Sequence, residues 1–226
     1  MLQSLLHFLH SLFNPTELQA LIGRAGPPLI CAIVFVETGF FVGFFLPGDS
    51  LLITAGIVAY GVLHVSLPAL LLHWLLPVIL CAIVGDQLGY WIGRSAGPAL
   101  YKREDSLFFR KSHLQRAHDF YDKYGGRAVI LARFVPIIRT FCPPVAGAAK
   151  MPYGRYVMFD IFGGVFWVCA TILGGYTLGR SVPNIGKYIH YVIGVVVLLS
   201  IIPAIIGIIK SKNTRPQPTP AGSVKD

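Results

Sequence analysis

Four carboxylates, Glu37, Asp49, Asp86 and Asp160, and two guanidiniums, Arg133 and Arg139, stand in or beside stretches that are otherwise apolar. Glu37 sits in IVFVETGFF, Asp49 in FLPGDSLLITAG, and the two arginines flank FVPII. On an insertion scale each charge at the bilayer centre costs roughly 2.5–3.5 kcal/mol, so four unpaired acids would cost on the order of 10 kcal/mol. That is comparable with the whole stability of a domain. These acids must be paired, protonated or facing water. An arginine fork suits phosphate bidentately, and a carboxylate shielded from water can carry a proton. Asp49 and Ser50 follow the Pro47-Gly48 break, where they cap a new half-helix whose free N–H groups favour an anionic group. If the two broken segments face each other, two acids meet two arginines. The expected site binds a phosphorylated headgroup and protons through Glu37, Asp49, Arg133 and Arg139, with Ser50, Asp86 and Thr140 as secondary candidates. A fixed cluster of ion pairs is the competing reading.

Enzymatic chemistry finds little support. An intramembrane aspartyl protease needs GxGD, but the outer glycine is replaced by Leu46 before Asp49 and by Ile83 before Asp86. There is no GxSxG, and no Ser/His pair placed for rhomboid-like cleavage. A lipid phosphatase would need a nucleophilic histidine with Arg and Lys beside it, whereas His64 and His73 stand in apolar surroundings. No catalytic residue and no cofactor is expected. Cys31, Cys81, Cys142 and Cys169 all lie in apolar segments with no CxxC spacing and read as small buried hydrophobes. No histidine shows metal-ligand spacing, so no metal is expected.

The elements that must position these charges are membrane helices. Of 226 residues, 54% are hydrophobic and only 13% charged, unlike a soluble domain. Windows long enough to cross a bilayer occur at Pro27–Pro47, Val65–Val84, Tyr156–Leu178 and Tyr188–Ile209. Shorter apolar segments lie at Leu51–Leu63 and Ala128–Ala149. The length suits one compact polytopic unit. The first thirteen residues, MLQSLLHFLHSLF, have no basic n-region and no cleavage site. Their leucines recur at helical spacing, which predicts a short interfacial amphipathic helix.

The formal net charge of +9 is concentrated. Residues 94–127 hold eight Lys/Arg against four Asp/Glu, and the tail from Lys210 holds four against one. Basic loops stay cytoplasmic, and the two windows between these regions allow both to do so. The excess therefore reads as orientation and anionic-lipid contact, not nucleic-acid binding. Within the loop, Leu114, Ala117, Phe120, Tyr121 and Tyr124 form an apolar stripe on a basic helix that ends at Gly125-Gly126. The polar, proline-rich segment from Ser211 is expected to be disordered.

The chain also echoes itself. GYWIGRS at 89–95 returns as GYTLGRS at 175–181, five of seven positions identical. FLPGDSLLITAG has a weaker counterpart in TFCPPVAG at 140–147. Apolar segments broken by Pro and Gly at matching places in two halves point to a transporter site. Broken backbone at membrane depth survives only against protein or a water-filled cavity. The expected fold is an all-α polytopic membrane protein, an inverted repeat with two facing re-entrant hairpins. Its parts are an interfacial segment 1–26, a membrane domain 27–210 and a tail 211–226. The first half, 27–101, places a hairpin near 30–56, and the second, 128–210, places one near 128–150.

Four stretches also carry a family resemblance: ETGFFVGFFLPGDSLL from Glu37, GDQLGYWIGR from Gly85, FYDKYGGRAVILARFVPIIRTFCPPVAG from Phe120 and GYTLGR from Gly175. The sequence resembles bacterial DedA-family membrane proteins, the VTT-domain or SNARE-associated-Golgi-like group, and the basic loop is most similar to the DedA-proper branch. The resemblance covers most of the chain between about residues 30 and 180. It implies two facing re-entrant hairpins related by inverted repeat. It also implies lipid flipping or scrambling, including recycling of undecaprenyl phosphate and phospholipid transport, with proton dependence in some members. The family's essential acids match Glu37 and Asp49, and its essential arginines match Arg133 and Arg139. Cys142–Pro144 carries an extra proline relative to many members. The function expected is an inner-membrane transporter of an anionic lipid phosphate with protons as a coupling ion. The alternatives are a proton-coupled exchanger of small cations or drugs, and a non-transporting scaffold.

Overall fold

The computed structural model describes residues 11, 14–40, 48–102, 129–130, 133 and 136–182. The expected amphipathic helix over the first thirteen residues, most of the basic loop, the Tyr188–Ile209 window and the tail lie outside the described residues, apart from Ser11.

Proline and glycine punctuate the helices. Helix α1 spans Pro15–Ala25 and α2 spans Pro27–Gly39, with Gly26 at φ 61° between them and a bend of 112°. A prolyl ring at the first helical positions fits a fixed φ and a missing N–H, and Pro27-Pro28 start α2 in this way. Helix α3 spans Gly48–Gly61, directly after the Pro47 break. Next come α4, Leu67–Leu70, a π-helical turn at Leu71–Leu75 and α5, Leu76–Lys102, which together form one long rod. Helix α6 spans Pro136–Ala148 and α7 spans Tyr153–Ser181. Among the described residues there is no strand.

Among the described residues two helices are long and apolar enough to cross a membrane, Leu67–Gly97 with 31 residues and Tyr153–Ser181 with 29. At 1.5 Å per residue each exceeds the ~30 Å hydrocarbon core. Their outer faces are apolar, with Leu72, Leu80, Val84, Phe162 and Phe166 exposed. Asp86, Asp160 and the glycines Gly85, Gly89, Gly93, Gly163, Gly164, Gly175 and Gly179 face inward. The protein is therefore a helical membrane protein whose mid-helix carboxylates are turned inside.

The Pro27–Pro47 window does not form one spanning helix: α2 stops at Gly39. Thr38 Oγ1 donates to the Ala82 carbonyl at 3.3 Å, and a Cβ on Gly39 would lie 3.3 Å from the Gly85 carbonyl oxygen. So α2 ends beside the middle of the Leu67–Gly97 rod. The chain resumes at α3, whose Asp49 accepts from Trp167, the central residue of α7. Helix α6 likewise lies along α5.

Two close approaches set this arrangement. A Cβ on Gly56 would overlap the Ile172 carbonyl oxygen, and one on Gly175 would overlap that of Ile53, so α3 and α7 touch backbone to backbone. A Cβ on Gly147 would overlap the Tyr90 carbonyl oxygen, and one on Gly93 that of Pro144, so α6 and α5 do the same. In both pairs each glycine faces the carbonyl three residues before the other glycine. Small residues at such crossings let membrane helices pack without a hydrophobic driving force.

Each short helix then reverses through a residue in the left-handed region, His64 at φ 52° after α3 and Lys150 at φ 58° after α6. The next carbonyl is tied by a tyrosine in both cases. Tyr176 donates to the Val65 carbonyl at 2.9 Å, and Tyr90 to that of Met151 at 2.5 Å. These are the tyrosines of GYTLGRS and GYWIGRS. The echo in the sequence is an echo of role: each tyrosine secures the turn at the end of the short helix from the other half.

Candidate charged site in the bundle centre

Arg139 occupies the first turns of α6 and is 5% exposed. Its Nη1 donates to Asp49 Oδ1 at 2.6 Å and its Nη2 to Glu37 Oε1 at 2.7 Å. Trp167 of α7 completes the group. Its Nε1 donates to the same Asp49 oxygen at 2.7 Å, and its ring lies 4.2 Å from the Arg139 guanidinium carbon. A desolvated cation over an indole face is a favourable pairing of about 2 kcal/mol.

The local backbone explains why both acids need this arginine to different degrees. Asp49 lies in the first turn of α3, where the helix dipole favours an anion. Glu37 lies in the last turn of α2, at the end that disfavours one, and it is 3% exposed. Arg139 therefore compensates Glu37 above all. Glu37 Oε2 has no hydrogen-bond partner. A Cβ on Gly48 would overlap this carboxylate, so only glycine there lets α3 start against Glu37. Ser50 and Thr140 are buried one residue beyond Asp49 and Arg139.

The second arginine does not join them. Arg133 Nη2 donates to Asp86 Oδ2 of α5 and to Asp160 Oδ1 of α7. Gln87 Nε2 donates to Asp160 Oδ2 at 2.9 Å, and the Tyr156 hydroxyl lies 3.2 Å from Asp160 Oδ1. Asp86, Asp160 and Arg133 are 2%, 1% and 7% exposed. Glycines of α7 make room for the guanidinium: a Cβ on Gly163 would lie 2.6 Å from Arg133 Cδ and 3.0 Å from its Nε. The expected meeting of Glu37 and Asp49 with both arginines is thus replaced by two groups, each of one arginine and two acids. The four charged residues nominated from the sequence are divided three to one, and Asp86, a secondary candidate, belongs with Arg133.

The groups adjoin. Thr38, next to Glu37, lies against Gly85, next to Asp86, and a Cβ on Gly85 would overlap its hydroxyl. Asp160 and Trp167 are seven residues apart on α7, two helical turns or about 10 Å along one face. Asp160 was among the membrane acids but not among the nominated site residues, and Gln87, Tyr156 and Trp167 were missed altogether. Their signal is Tyr156, Asp160, Gly163, Gly164 and Trp167 recurring on one helical face of an apolar segment. Among the described residues no group of three His, Cys, Asp or Glu side chains is placed to hold a metal ion.

Comparison with known proteins decides the family. Residues 46–177 match the VTT domain. The chain belongs to the VTT-domain, or DedA, family. It is 39% identical to Protein DedA of Escherichia coli K12 over 206 residues, 91% of this chain and 92% of that protein. It is 43% identical to an uncharacterized membrane protein of Mycobacterium tuberculosis over 202 residues, 88% and 86% of the two chains. No solved structure matches significantly. The VTT match takes in Asp49, Asp86, Arg133, Arg139 and Asp160, while Glu37 precedes it.

Proposed function

We propose that this VTT-domain protein is a bacterial inner-membrane transporter that moves an anionic lipid phosphate, undecaprenyl phosphate or a phospholipid, between leaflets, with the basic loop and tail cytoplasmic. The observation that carries this reading is the Arg139 fork. It lies level with the middle of both long helices, held by two acids and reachable past Asp49, whose side chain is 19% exposed. A phosphate offers the fork the same paired acceptors as Glu37 and Asp49. The site already holds more acid than base, so a phosphate displaces a carboxylate at least cost when a proton accompanies it. In this scheme Glu37 and Asp49 pair with Arg139 in the empty state and take protons as the headgroup arrives. Arg133, sealed behind its own acids, supports the site and does not meet the headgroup first.

In this proposal the moving units are crossed with respect to the two sequence halves. The glycine approaches favour α3 with α7 as one unit and α6 with α5 as the other, and Gly39 joins α2 to α5. An apolar core joins the units, and within it they are tied by polar contacts, Arg139 to Asp49, Arg133 to Asp160, and Gln87 to Asp160.

A second reading, a proton-coupled exchanger of small cations or drugs, is favoured by the two-to-one excess of acids over arginines and by the unpaired Glu37 Oε2. Proteoliposomes containing labelled undecaprenyl phosphate or anionic phospholipid test both. Leaflet exchange that Arg139→Ala abolishes supports the lipid transporter. No exchange with any anionic lipid, together with cation-driven proton flux, supports the exchanger.

A further inference from the structure

We propose that Asp86 and Asp160 together carry one exchangeable proton at neutral pH, which makes the Arg133 group a proton site with a task separate from the Arg139 group. The role in transport rests on the lipid-transporter reading above; the proton itself does not.

The geometry comes first. One nitrogen, Arg133 Nη2, serves both carboxylates, so an acid from α5 and an acid from α7 converge on a single point. Their facing oxygens lie no more than two hydrogen-bond lengths apart. Two carboxylates forced together cannot both stay ionised without a matching pair of cations. One guanidinium is present, and both carboxylates are buried.

Among the described residues the surroundings supply no second cation. From α5 the neighbours are Gln87, a neutral amide, and Tyr90, which is committed to Met151. From α7 comes Tyr156, whose hydroxyl faces Asp160 Oδ1 and the Asp86 carbonyl. From α6 come Cys142, packed in one buried cluster with Tyr156, and Arg139. Arg139 already answers Glu37 and Asp49, two acids of its own. From α2 the adjoining residue is Thr38, bonded to backbone carbonyls. The charge left over is a single negative one, and a buried ion without a counter-ion is too costly to persist. A proton is the cation that fits between two carboxylates already sharing one donor.

A second observation points to traffic at the same place. Arg133 Nη1 is buried and has no hydrogen-bond partner, and neither has the buried Gln87 Oε1. One is a donor and the other an acceptor, the pair of functions that a water delivering or removing a proton would engage. The position also suits coupling. Asp86 belongs to the unit of α5 and Asp160 to that of α7, so protonating Asp160 weakens the charge-assisted tie from Arg133 that joins the two units.

Infrared difference spectroscopy of the purified full chain in lipid nanodiscs tests this, with protons and D2O exchange as the probe. The wild type at neutral pH is expected to show a carboxylic-acid C=O band that shifts on exchange. Asp86→Asn and Asp160→Asn, each made in the Glu37→Gln background so that the Arg139 group is charge-balanced too, are expected to remove it, because the remaining carboxylate then balances Arg133. Glu37→Gln, which leaves the group intact, is expected to keep it. Absence of the band from the wild type, its persistence in both asparagine variants, or its loss in Glu37→Gln overturns the proposal. The Glu37→Gln measurement decides even if the asparagine variants fail to fold. The band is read without lipid movement, so failure of the transporter reading leaves this result standing, and a missing band beside intact lipid exchange sinks the proton site alone.

Discussion

Trp167 donates to Asp49 at 2.7 Å and holds the guanidinium that Asp49 also accepts from above its ring. The indole thus fixes both members of an ion pair between α6 and α3. Replacing it separates the two effects. Trp167→Phe keeps an aromatic face and loses the N–H. A hydrogen bond to a charged group is worth about 1.5–3 kcal/mol, so this variant should be destabilised by about that amount in denaturant titrations in micelles. Trp167→Ala should cost more, and lipid exchange should fall in the same order. Equal stability of Phe and wild type would show that the N–H bond contributes nothing.

Gly163 is a positioning residue for Arg133. Alanine there puts a methyl 2.6 Å from Arg133 Cδ, whereas a Cβ on Gly174 of the same helix meets nothing within 4 Å. Gly163→Ala should destabilise by about 1–3 kcal/mol, the range for overpacking. Gly174→Ala should be neutral or stabilising by up to about 1 kcal/mol, from helix propensity alone. Thermal or chemical unfolding of the two variants side by side gives the answer.

Gly48 should be as intolerant as Glu37 itself. Its added methyl would occupy the Glu37 carboxylate's position. Gly48→Ala is therefore expected to abolish lipid exchange to the extent that Glu37→Gln does. The double variant should be no worse than either single one, since both act on one group. Additive losses would mean that Gly48 serves the α3 start and not the acid.

The two tyrosine ties should behave as a matched pair. Tyr90→Phe and Tyr176→Phe each remove one donor from a turn carbonyl, at a cost of about 1 kcal/mol apiece. The ties lie near opposite ends of the two long helices, so the double variant should lose the sum. Limited proteolysis at the Val62–Ser66 turn should increase in Tyr176→Phe and not in Tyr90→Phe.

Helix starts were legible where proline and glycine wrote them: Pro27 opens α2 at the first residue of its apolar window, and Pro47-Gly48 stand at the start of α3. Membrane class and family were legible for the same reason, composition and motif being local properties. The partner of each arginine was not. Arg133 and Arg139 are six residues apart, and which acids they meet depends on the rotation of α5 and α7, which no local pattern encodes. The GY echo was visible but its meaning was not, because two registers coexist. The tyrosines align as the echo does, yet the glycine contacts pair Gly93 with Gly175, one helical turn away. The cause lies in the short helices. From Gly56 to His64 is eight residues and from Gly147 to Lys150 is three, so the first turn lies farther along and its tyrosine is displaced by four positions on α7.

The crossed glycine approaches also bear on how the chain is made. Gly56 leaves the ribosome long before Gly175, the residue it packs against, which lies 119 positions later in the chain. At 5–20 residues per second that is a wait of roughly 10 s. Throughout it, α3 and Asp49 have neither α7 nor Trp167 beside them. A helix too short to cross a bilayer, with an acid at its tip, must be sheltered by the insertion machinery or a chaperone during that interval. Biogenesis of this protein should therefore depend on such a factor more strongly than the two long helices alone would require.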